Sequence, residues 1–435
     1  MRTARVVSTL LAILAALALA APASLGLAAE DDQRTLCVDK NRPGCFHSIQ
    51  EAVDHAPPGS RIDVAAGTYA EGVTITKRLT LRGDDRKAVI DAAGHNQGIF
   101  VHGATASRTV IGGFTVENAT LEGILLESTS WVRVEHNLVQ HNDQGWQAPA
   151  PGAPFATCPG ANPFDQDDCG EGLHLNGVDH ATVNGNTVEE NVGGILLTDE
   201  AGATHDNRIS RNTVRNNRRD CGITLPSHPA GFGPGGVPLP GNGVFRNVVS
   251  DNVSTGNGGA GAGIFAPTPG TAAYDNLVIG NTLTNNGLPG VALHSHVFGQ
   301  NLNGNRIIGN TIAGNGADDD AGTTGPTGIV IFSDASGGAL PIENTTVVGN
   351  TISDEAIDVY VGTTPMNLGL HFNNLLGSDA VGVQHVGGGV VDATLNYWGC
   401  PNGPAAPACS SVEGAVTYTP WLTHPVPRQA DGSED

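Results

Sequence analysis

The side chains best suited to chemistry in this chain are histidines and carboxylates that recur at one position of a repeated strand. Glu200 and His228 occupy that position in two neighbouring repeats, and His296 and Asp334 occupy it in two later ones. Imidazole and carboxylate groups within hydrogen-bonding distance are what general acid–base catalysis needs, and both also bind divalent metals. We therefore predict that these four residues form a catalytic cluster.

Two further residues extend the predicted cluster. Asp199 precedes Glu200, and His294 lies on the same strand as His296. If a metal binds here, Asp199, Glu200 and His228 are its candidate ligands. Any one of these residues could be an ordinary solvated side chain. The group as a whole favours a functional site, because perturbed titrating groups gather in clefts.

Insertions beside the same face could build a groove for an extended substrate. They interrupt the repeat at 143–170, 226–242, 266–275, 317–327 and 334–344, and long loops on a regular scaffold are often functional. We predict that His174, Trp146 and Arg219 contact the substrate. Trp146 could stack on a sugar ring or pack its own loop, and Arg219 could bind a carboxylate. The acidic run 318–320 is expected to be solvated, with attraction of Ca²⁺ as the alternative.

The elements that position these residues are short strands that begin with glycine. In such a strand the first and third residues after Gly should face the core, and the second, fourth and sixth should face solvent. Equivalent residues of stacked repeats should lie ~4.8 Å apart. The strands begin at Gly123, Gly172, Gly194, Gly222, Gly263, Gly290 and Gly328.

A second mark of the repeat is an Asn followed by a polar and an aliphatic residue. It occurs at Asn186, Asn212, Asn281, Asn310 and Asn350. A period in the twenties indicates a solenoid, and the units lack the leucine framework and helix of leucine-rich repeats. The sequence therefore predicts an all-β fold, a right-handed parallel β-helix, with Asn and Gly at left-handed bends and stacked Asn side chains bonded along the axis.

We divide the chain into a signal peptide (1–29), an N-terminal capping segment (30–80), the β-helix (81–395) and a C-terminal cap and tail (396–435). A short helix is expected near 46–53 with Ser48 as N-cap. The basic start of the chain and an apolar run shorter than the ~20 residues of a membrane span predict export, to the periplasm or the medium.

Cysteine usage also favours an oxidising compartment. Proximity suggests three disulfides and leaves Cys221 over, although sequence alone cannot fix the pairing. The expected pairs are Cys37–Cys45, Cys158–Cys169 and Cys400–Cys409.

The charge of the chain limits its partners. It has 43 Asp and Glu against 21 Lys and Arg, a formal net charge of −22. Nucleic acids and anionic membranes bind basic patches, so we expect neither as a partner. The charge favours a neutral glycan or a step that depends on Ca²⁺, the one cofactor considered. We expect a monomer.

Two segments resemble a known group of proteins. Residues 48–53 (Ser-Ile-Gln-Glu-Ala-Val) and 62–69 are similar to the entry turn of pectin-lyase-like β-helix proteins. Residues 396–399 (Asn-Tyr-Trp-Gly) and 401–404 resemble the closing segment of secreted members, including periplasmic NosD-type proteins. The resemblance implies a scaffold shared by lyases, hydrolases, epimerases and non-enzymes. The signature motifs of polygalacturonases, pectate lyases and alginate epimerases are missing from the sequence.

These observations predict a secreted enzyme that acts on a polysaccharide as a lyase, hydrolase or epimerase. A lyase would need His or Arg as its base, since the only lysines are Lys40, Lys77 and Lys87. A hydrolase would pair Glu200 with Asp334 or Asp199. The alternatives are a NosD-like metal-handling accessory protein and a non-catalytic scaffold that binds a glycan.

Overall fold

Three long sheets of parallel strands run the length of the protein. The computed structural model describes residues 34–147, 169–295, 300–333, 341–377, 380–404 and 406–427. The predicted signal peptide lies outside these ranges. We call the sheets A, B and C; each turn of the chain contributes one strand to C, then A, then B. The fold is the predicted right-handed parallel β-helix.

Sheet A has 12 strands, the first of which lies within the predicted capping segment. They are Thr35–Val38, Arg61–Val64, Thr80–Gly83, Val110–Gly112, Arg133–Glu135, Thr182–Asn184, Arg208–Ser210, Val248–Ser250, Leu277–Ile279, Arg306–Ile308, Thr346–Val348 and Gly369–His371.

Sheet B has 11 strands that pair in parallel in the same order. They are Gly67–Ala70, Ala88–Asp91, Phe114–Glu117, Leu138–Gln140, Thr187–Glu189, Thr213–Arg215, Val253–Thr255, Thr282–Thr284, Thr311–Ala313, Thr351–Ser353 and Asn374–Leu375.

Sheet C has 12 strands and contains the Gly-led strands of the repeat. They are Val73–Ile75, Gln97–His102, Glu122–Glu127, Glu171–Asn176, Gly193–Thr198, Ile223–Pro226, Ala262–Ala266, Val291–Ser295, Thr327–Ser333, Ile357–Gly362, Val381–His385 and Ser411–Glu413.

Smaller elements complete the description. A three-stranded sheet lies between sheets C and A (Thr204–His205, Val244–Phe245, Ala273–Tyr274), and Val391–Asp392 pairs with Val416–Thr417. The helix Ile49–His55 begins after Ser48, whose side chain accepts a hydrogen bond from the Glu51 N–H as predicted. A 3₁₀ turn covers Ala104–Ala106. No helix in the described ranges is long and apolar enough to span a membrane.

Each corner between sheets contains two consecutive residues with different structural roles. The first residue of each pair adopts positive φ, as in Gly185 (66°) and Arg211 (54°). The second is a buried Asn whose amide joins the Asn of the next turn, as Asn186 does to Asn212 at 3.0 Å. The Asn stacking was predicted, but the stacked Asn residues do not themselves take the left-handed conformation.

Three such ladders run along the axis. The amide oxygen of one Asn accepts from the preceding turn, so that buried polar groups are satisfied without water. The longest ladder joins Asn137, Asn186, Asn212, Asn252, Asn281, Asn310, Asn350, Asn373 and Asn396. The others join Asn142, Asn191, Asn217, Asn257, Asn286 and Asn315, and Asn207, Asn247, Asn276 and Asn305.

Side chains between the corners alternate as the strand period requires. Ile195, Leu197, Val183 and Val188 are fully buried in the core of one turn. The second position after Gly, predicted to face solvent, points out of the core but is buried, as Leu196 (1% exposed) illustrates. The outer side of sheet C is therefore largely covered along this column.

One strand is out of the predicted register. Phe265 pairs with Pro226 and His294, which places Gly261, not Gly263, in the column of strand-leading glycines. The sequence has glycines at both 261 and 263. The prediction that Gly263 leads this strand is therefore wrong. Phe265 consequently lies beside His294 on the outer face.

Disulfides hold both ends of the described solenoid. Cys37 is bonded to Cys45, and Cys400 to Cys409, as predicted. Cys169 is disulfide-bonded, but Cys158 lies outside the described residues. Cys221 is a buried free thiol, and burial raises its pKa well above the usual value, so it is a poor nucleophile.

Candidate functional site

The predicted pair Glu200 and His228 meets at the edge of sheet C. Each residue lies just beyond the carboxyl end of a strand, Gly193–Thr198 for Glu200 and Ile223–Pro226 for His228. His228 Nδ1 contacts Glu200 Oε1, and the two side chains are 13% and 6% exposed. The stacking of neighbouring turns brings them together, as the repeat predicted. An imidazole held by a carboxylate at a partly open edge is suited to proton transfer.

Asp199 lies beside this pair, where its carboxylate anchors the following insertion. Its Oδ1 accepts the His228 N–H at 2.7 Å, and its Oδ2 accepts the Ser227 hydroxyl at 2.9 Å and the Gly243 N–H. The side chain is fully buried. Burial raises the pKa of Asp199, although the three hydrogen bonds oppose that rise. Asp199 thus fixes the backbone of His228 and both ends of the insertion.

That insertion forms a short hairpin over residues 229–242. The Gly233 N–H donates to the Val237 carbonyl at 2.8 Å, and the Leu239 N–H donates to the Gly231 carbonyl at 2.8 Å. Its apolar side chains face outward, with Val237 62% exposed. The hairpin stands next to the Glu200–His228 pair and forms one wall of that edge.

Only part of the later half of the predicted cluster lies within the described residues. His296 and Asp334 lie outside the described residues. His294 pairs instead with Asp318, with Nε2 to Oδ2 at 2.7 Å and both side chains 4% exposed. Asp318 was expected in a solvated acidic run, so that expectation is wrong for this residue. Burial would raise the pKa of Asp318, but the hydrogen bond and charge of His294 outweigh it and lower the pKa.

His174 belongs to a third pair, further toward the N-terminus. Its Nε2 lies 2.8 Å from Thr198 Oγ1, and its Nδ1 lies 3.7 Å from Glu122 Oε1. Gln97 Nε2 donates to Glu122 at 2.8 Å. The histidine was predicted to touch substrate, but it is 3% exposed.

Sequence reasoning missed the carboxylates of this third group. Glu122 and Glu171 are register partners on neighbouring turns, both buried. A side chain at Gly193 would collide with the Glu171 carboxylate, so glycine makes room for it. The available signal was a Glu directly before the leading glycine in two consecutive repeats, Glu122-Gly123 and Glu171-Gly172.

Trp146 and Arg219 lie in contact at the opposite edge of sheet C. The Arg219 guanidinium carbon lies 3.3 Å from the centroid of the Trp146 ring. The same ring packs against Leu121 and Cys169. The structure therefore brings these two predicted residues together, with Trp146 in the packing arrangement that was one of its two alternatives.

Among the described residues, the site offers possible metal ligands in pairs and in no larger group. Within the described ranges, no three His, Cys, Asp or Glu side chains converge as a metal site requires. The predicted ligands Asp199, Glu200 and His228 supply a hydrogen-bonded network, with the Asp199 oxygens turned toward N–H and O–H donors. The described residues thus do not form a Ca²⁺-binding or copper-binding site on their own.

Comparison with known proteins identifies relatives of this architecture. No curated protein matches the chain. Among solved structures, the mannuronan C-5 epimerase AlgE6 A-module of Azotobacter vinelandii is 18% identical with a TM-score of 0.46, covering 86% of this chain and 94% of that one. A mannuronic-acid-specific family 6 lyase from human gut microbiota is 14% identical, with a TM-score of 0.47 and coverage of 84% and 80%.

The Dettilon tailspike protein is 14% identical with a TM-score of 0.46, and the match covers 82% of this chain but only 62% of the tailspike. These likenesses concern the fold.

The family model described as "Periplasmic copper-binding protein (NosD)" matches residues 58–230 and 161–403, which together span most of the β-helix. The chain therefore belongs to the NosD family.

Proposed function

We propose that this protein acts on a polysaccharide, with Glu200 and His228 as its acid–base pair. The observation that carries the proposal is their contact at the edge of sheet C, where both side chains keep some exposure. Two other His–carboxylate pairs on the outer side of sheet C, His174–Glu122 and His294–Asp318, are more deeply buried. A further pair, His102–Glu127, is more exposed and lies nearer the N-terminal end of the sheet. A solenoid also presents a long, regular surface, which suits an extended polymer.

The chemistry favoured by this pair is proton abstraction by the imidazole. When Nδ1–H donates to the Glu200 carboxylate, Nε2 is the nitrogen of His228 that carries the lone pair and can accept a proton. Glu200 then stabilises the imidazolium that forms. A two-carboxylate hydrolysis through Glu200 and Asp199 is less well supported, because the Asp199 carboxylate is fully buried and bonded to three donors. A lyase or epimerase reaction is therefore our first choice.

The test is a panel of polysaccharides scored for new reducing ends, for ultraviolet absorbance of unsaturated products and for epimerised units, with and without Ca²⁺. On the active substrate, His228→Ala and Glu200→Gln should each lower turnover by about 10²- to 10⁴-fold. His180→Ala is the matched control, since His180 also contacts an acid (Asp179, 2.6 Å) but at the surface of a different corner. Wild-type turnover in both site variants would disprove the assignment.

A second candidate function follows from the family description, which is copper binding. The pairs on sheet C offer two ligands each within the described ranges, and the chain has only two methionines, Met1 and Met366. Equilibrium dialysis with Cu²⁺ and Cu⁺ tests this function directly. Stoichiometric binding that His294→Ala abolishes, with silence across the glycan panel, would favour it over catalysis.

We also propose that the protein works outside the cytoplasm. The described disulfides Cys37–Cys45 and Cys400–Cys409 form in oxidising compartments, and the family is described as periplasmic. Secretion of a tagged full-length chain, with alkylation of free thiols before and after reduction, tests this proposal.

Glycan binding without turnover on any substrate would indicate the non-catalytic scaffold.

A further inference from the structure

A charged cleft opens at the corner between sheets B and C, away from the Glu200–His228 pair. The cleft has a volume of about 230 Å³ and is lined by His141, Asp143, Glu190, Asn191, Arg218 and Arg219. We propose that this cleft binds the carboxylate group of an acidic sugar unit through Arg218 and Arg219. The proposal rests on the proposed function for the presence of a glycan.

In this cleft, Arg218 and Arg219 have no ionic partner among the residues that the structure describes. No carboxylate oxygen in the described ranges lies within 4.0 Å of either guanidinium, whereas Arg215 nearby is paired with Glu189. In a chain of net charge −22, two adjacent arginines that have no carboxylate partner in the described part of the chain are positioned for an external anion.

The acids of the same cleft already have partners. Glu190 Oε2 lies 3.4 Å from His141 Nε2, and Asp143 Oδ1 accepts a hydrogen bond from Gln144 at 3.0 Å. The Asn191 amide is used in its ladder, donating to the Asn217 amide oxygen at 3.1 Å. The donors that remain for a ligand are therefore those of the two guanidinium groups.

Arg219 is held in place by more than its own backbone. Its guanidinium stacks at 3.3 Å on the ring of Trp146, which orients the plane of the group and leaves its N–H edge for a bidentate contact. The backbone N–H groups of Arg218 and Arg219 donate to the carbonyls of Asn191 and Val192. A pre-oriented guanidinium loses less entropy on binding, and a planar carboxylate matches its fork.

The position of the cleft suits a polymer that also reaches the proposed catalytic pair. Arg219 precedes the strand Ile223–Pro226, and His228 follows it, so the two groups lie at opposite edges of sheet C on one turn. At ~3.3 Å per residue their separation along the chain is at most about 30 Å. A glycan chain lying across the strands could place one acidic unit in the cleft and another unit at His228.

The experiment is isothermal titration calorimetry of the full chain with tetramers of galacturonate, glucuronate and mannuronate, each compared with its methyl ester. We expect at least one acidic tetramer to bind and its uncharged ester to bind much more weakly. Arg218→Gln and Arg219→Gln should each weaken that binding by about 10- to 100-fold, because each removes charge-assisted hydrogen bonds. Arg219→Lys should recover only part of the loss, since lysine keeps the charge but not the planar fork.

Arg208→Gln is the matched control, because Arg208 is similarly exposed but lies on sheet A at 4.0 Å from Asp251. Equal affinity of wild type and both cleft variants, or no binding of any acidic tetramer, would overturn the proposal. Glu200→Gln separates the two hypotheses: it should bind the acidic tetramer as wild type does even though its turnover is lost. Failure of the catalytic assignment alone would leave this binding pattern unchanged.

Discussion

His294 Nε2 lies 2.7 Å from Asp318 Oδ2, in a pair that is almost completely buried on the outer side of sheet C. Phe265 and Phe332, on the two neighbouring turns, present their rings at 5.6 Å from the imidazole centroid. The other oxygen of Asp318 accepts the Ala321 N–H at 3.0 Å. The pair thus holds the insertion that contains Asp318 against the solenoid. The sequence had predicted His294 in the catalytic cluster and Asp318 in a solvated acidic run.

Asp318→Asn should lower the free energy of unfolding at neutral pH by about 3–5 kcal/mol, because it removes one member of a buried, hydrogen-bonded His–carboxylate pair. Since His294 lowers the pKa of Asp318 below its ordinary value of 3.8, the stabilisation is present above that value and is lost as the pH falls through the lower folded value. Urea denaturation at pH 7 and pH 3 measures both effects, and the difference between variant and wild type should shrink at the lower pH.

Asp319→Asn is the matched control for this variant, since it removes an acid of the same run at an exposed position. It should change the unfolding free energy by less than about 0.5 kcal/mol. Equal effects of the two substitutions at pH 7 would contradict a specific role for the buried pair.

The sequence predicted the repeating parts of this molecule well, because they depend on short-range rules. A stacked Asn such as Asn212 and an inward Ile such as Ile195 follow from the period of one turn. The pairing of His294 with Asp318 does not, because the insertion that carries Asp318 folds back across sheet C by a path that the repeat does not determine. Glu200 and His228 met as predicted because both directly follow strands whose register the repeat defines.

Asp358 interrupts the column of strand-leading glycines. The register places it between Gly328 and Gly382, and its side chain is fully buried with no hydrogen-bond partner for Oδ1 in the described ranges. Burial raises its pKa well above 3.8, and burial also raises the pKa of nearby Glu355 to about 7. Both acids hold protons in the folded state that they lose when unfolded, so they make stability fall as the pH rises from about 4 through 7.

Asp358→Asn should therefore stabilise the protein at pH 8 by about 1–3 kcal/mol, because it removes a buried carboxyl group that disfavours folding once the unfolded chain has lost its proton, and it should have little effect near pH 4. Glu355 remains in this variant, so a smaller decline of stability between pH 4 and pH 7 should persist. Thermal unfolding across this pH range measures the change. A variant that is less stable than wild type at pH 8 would show that the Asp358 carboxylate is compensated in the fold.

Two asparagines at opposite ends of the strand Thr213–Arg215 allow the ladder to be tested. Asn212 donates to the Val183 carbonyl and to Asn252 Oδ1, both at 3.0 Å, and accepts from Asn186. Asn212→Ala should cost about 2–4 kcal/mol, since it leaves several buried groups unsatisfied. Asn216 is exposed with φ of 56°, so Asn216→Gly should be nearly neutral because glycine tolerates that conformation. Similar midpoints of urea denaturation for the two variants would rule out a special contribution from the ladder.

The last prediction concerns Asp199, which holds the ends of the 229–242 hairpin through His228, Ser227 and Gly243. Asp199→Ala should release the hairpin locally while the solenoid stays folded, because the three donors lose their shared acceptor. We expect limited proteolysis within 229–242 to accelerate at least about tenfold, since a loss of about 1.4 kcal/mol in local stability is a factor of ten in the open population. Asp206→Ala, which removes a surface partner of Arg246, is the control and should leave this cleavage unchanged. If the hairpin of Asp199→Ala is cleaved at the wild-type rate, the buried carboxylate is not what anchors it.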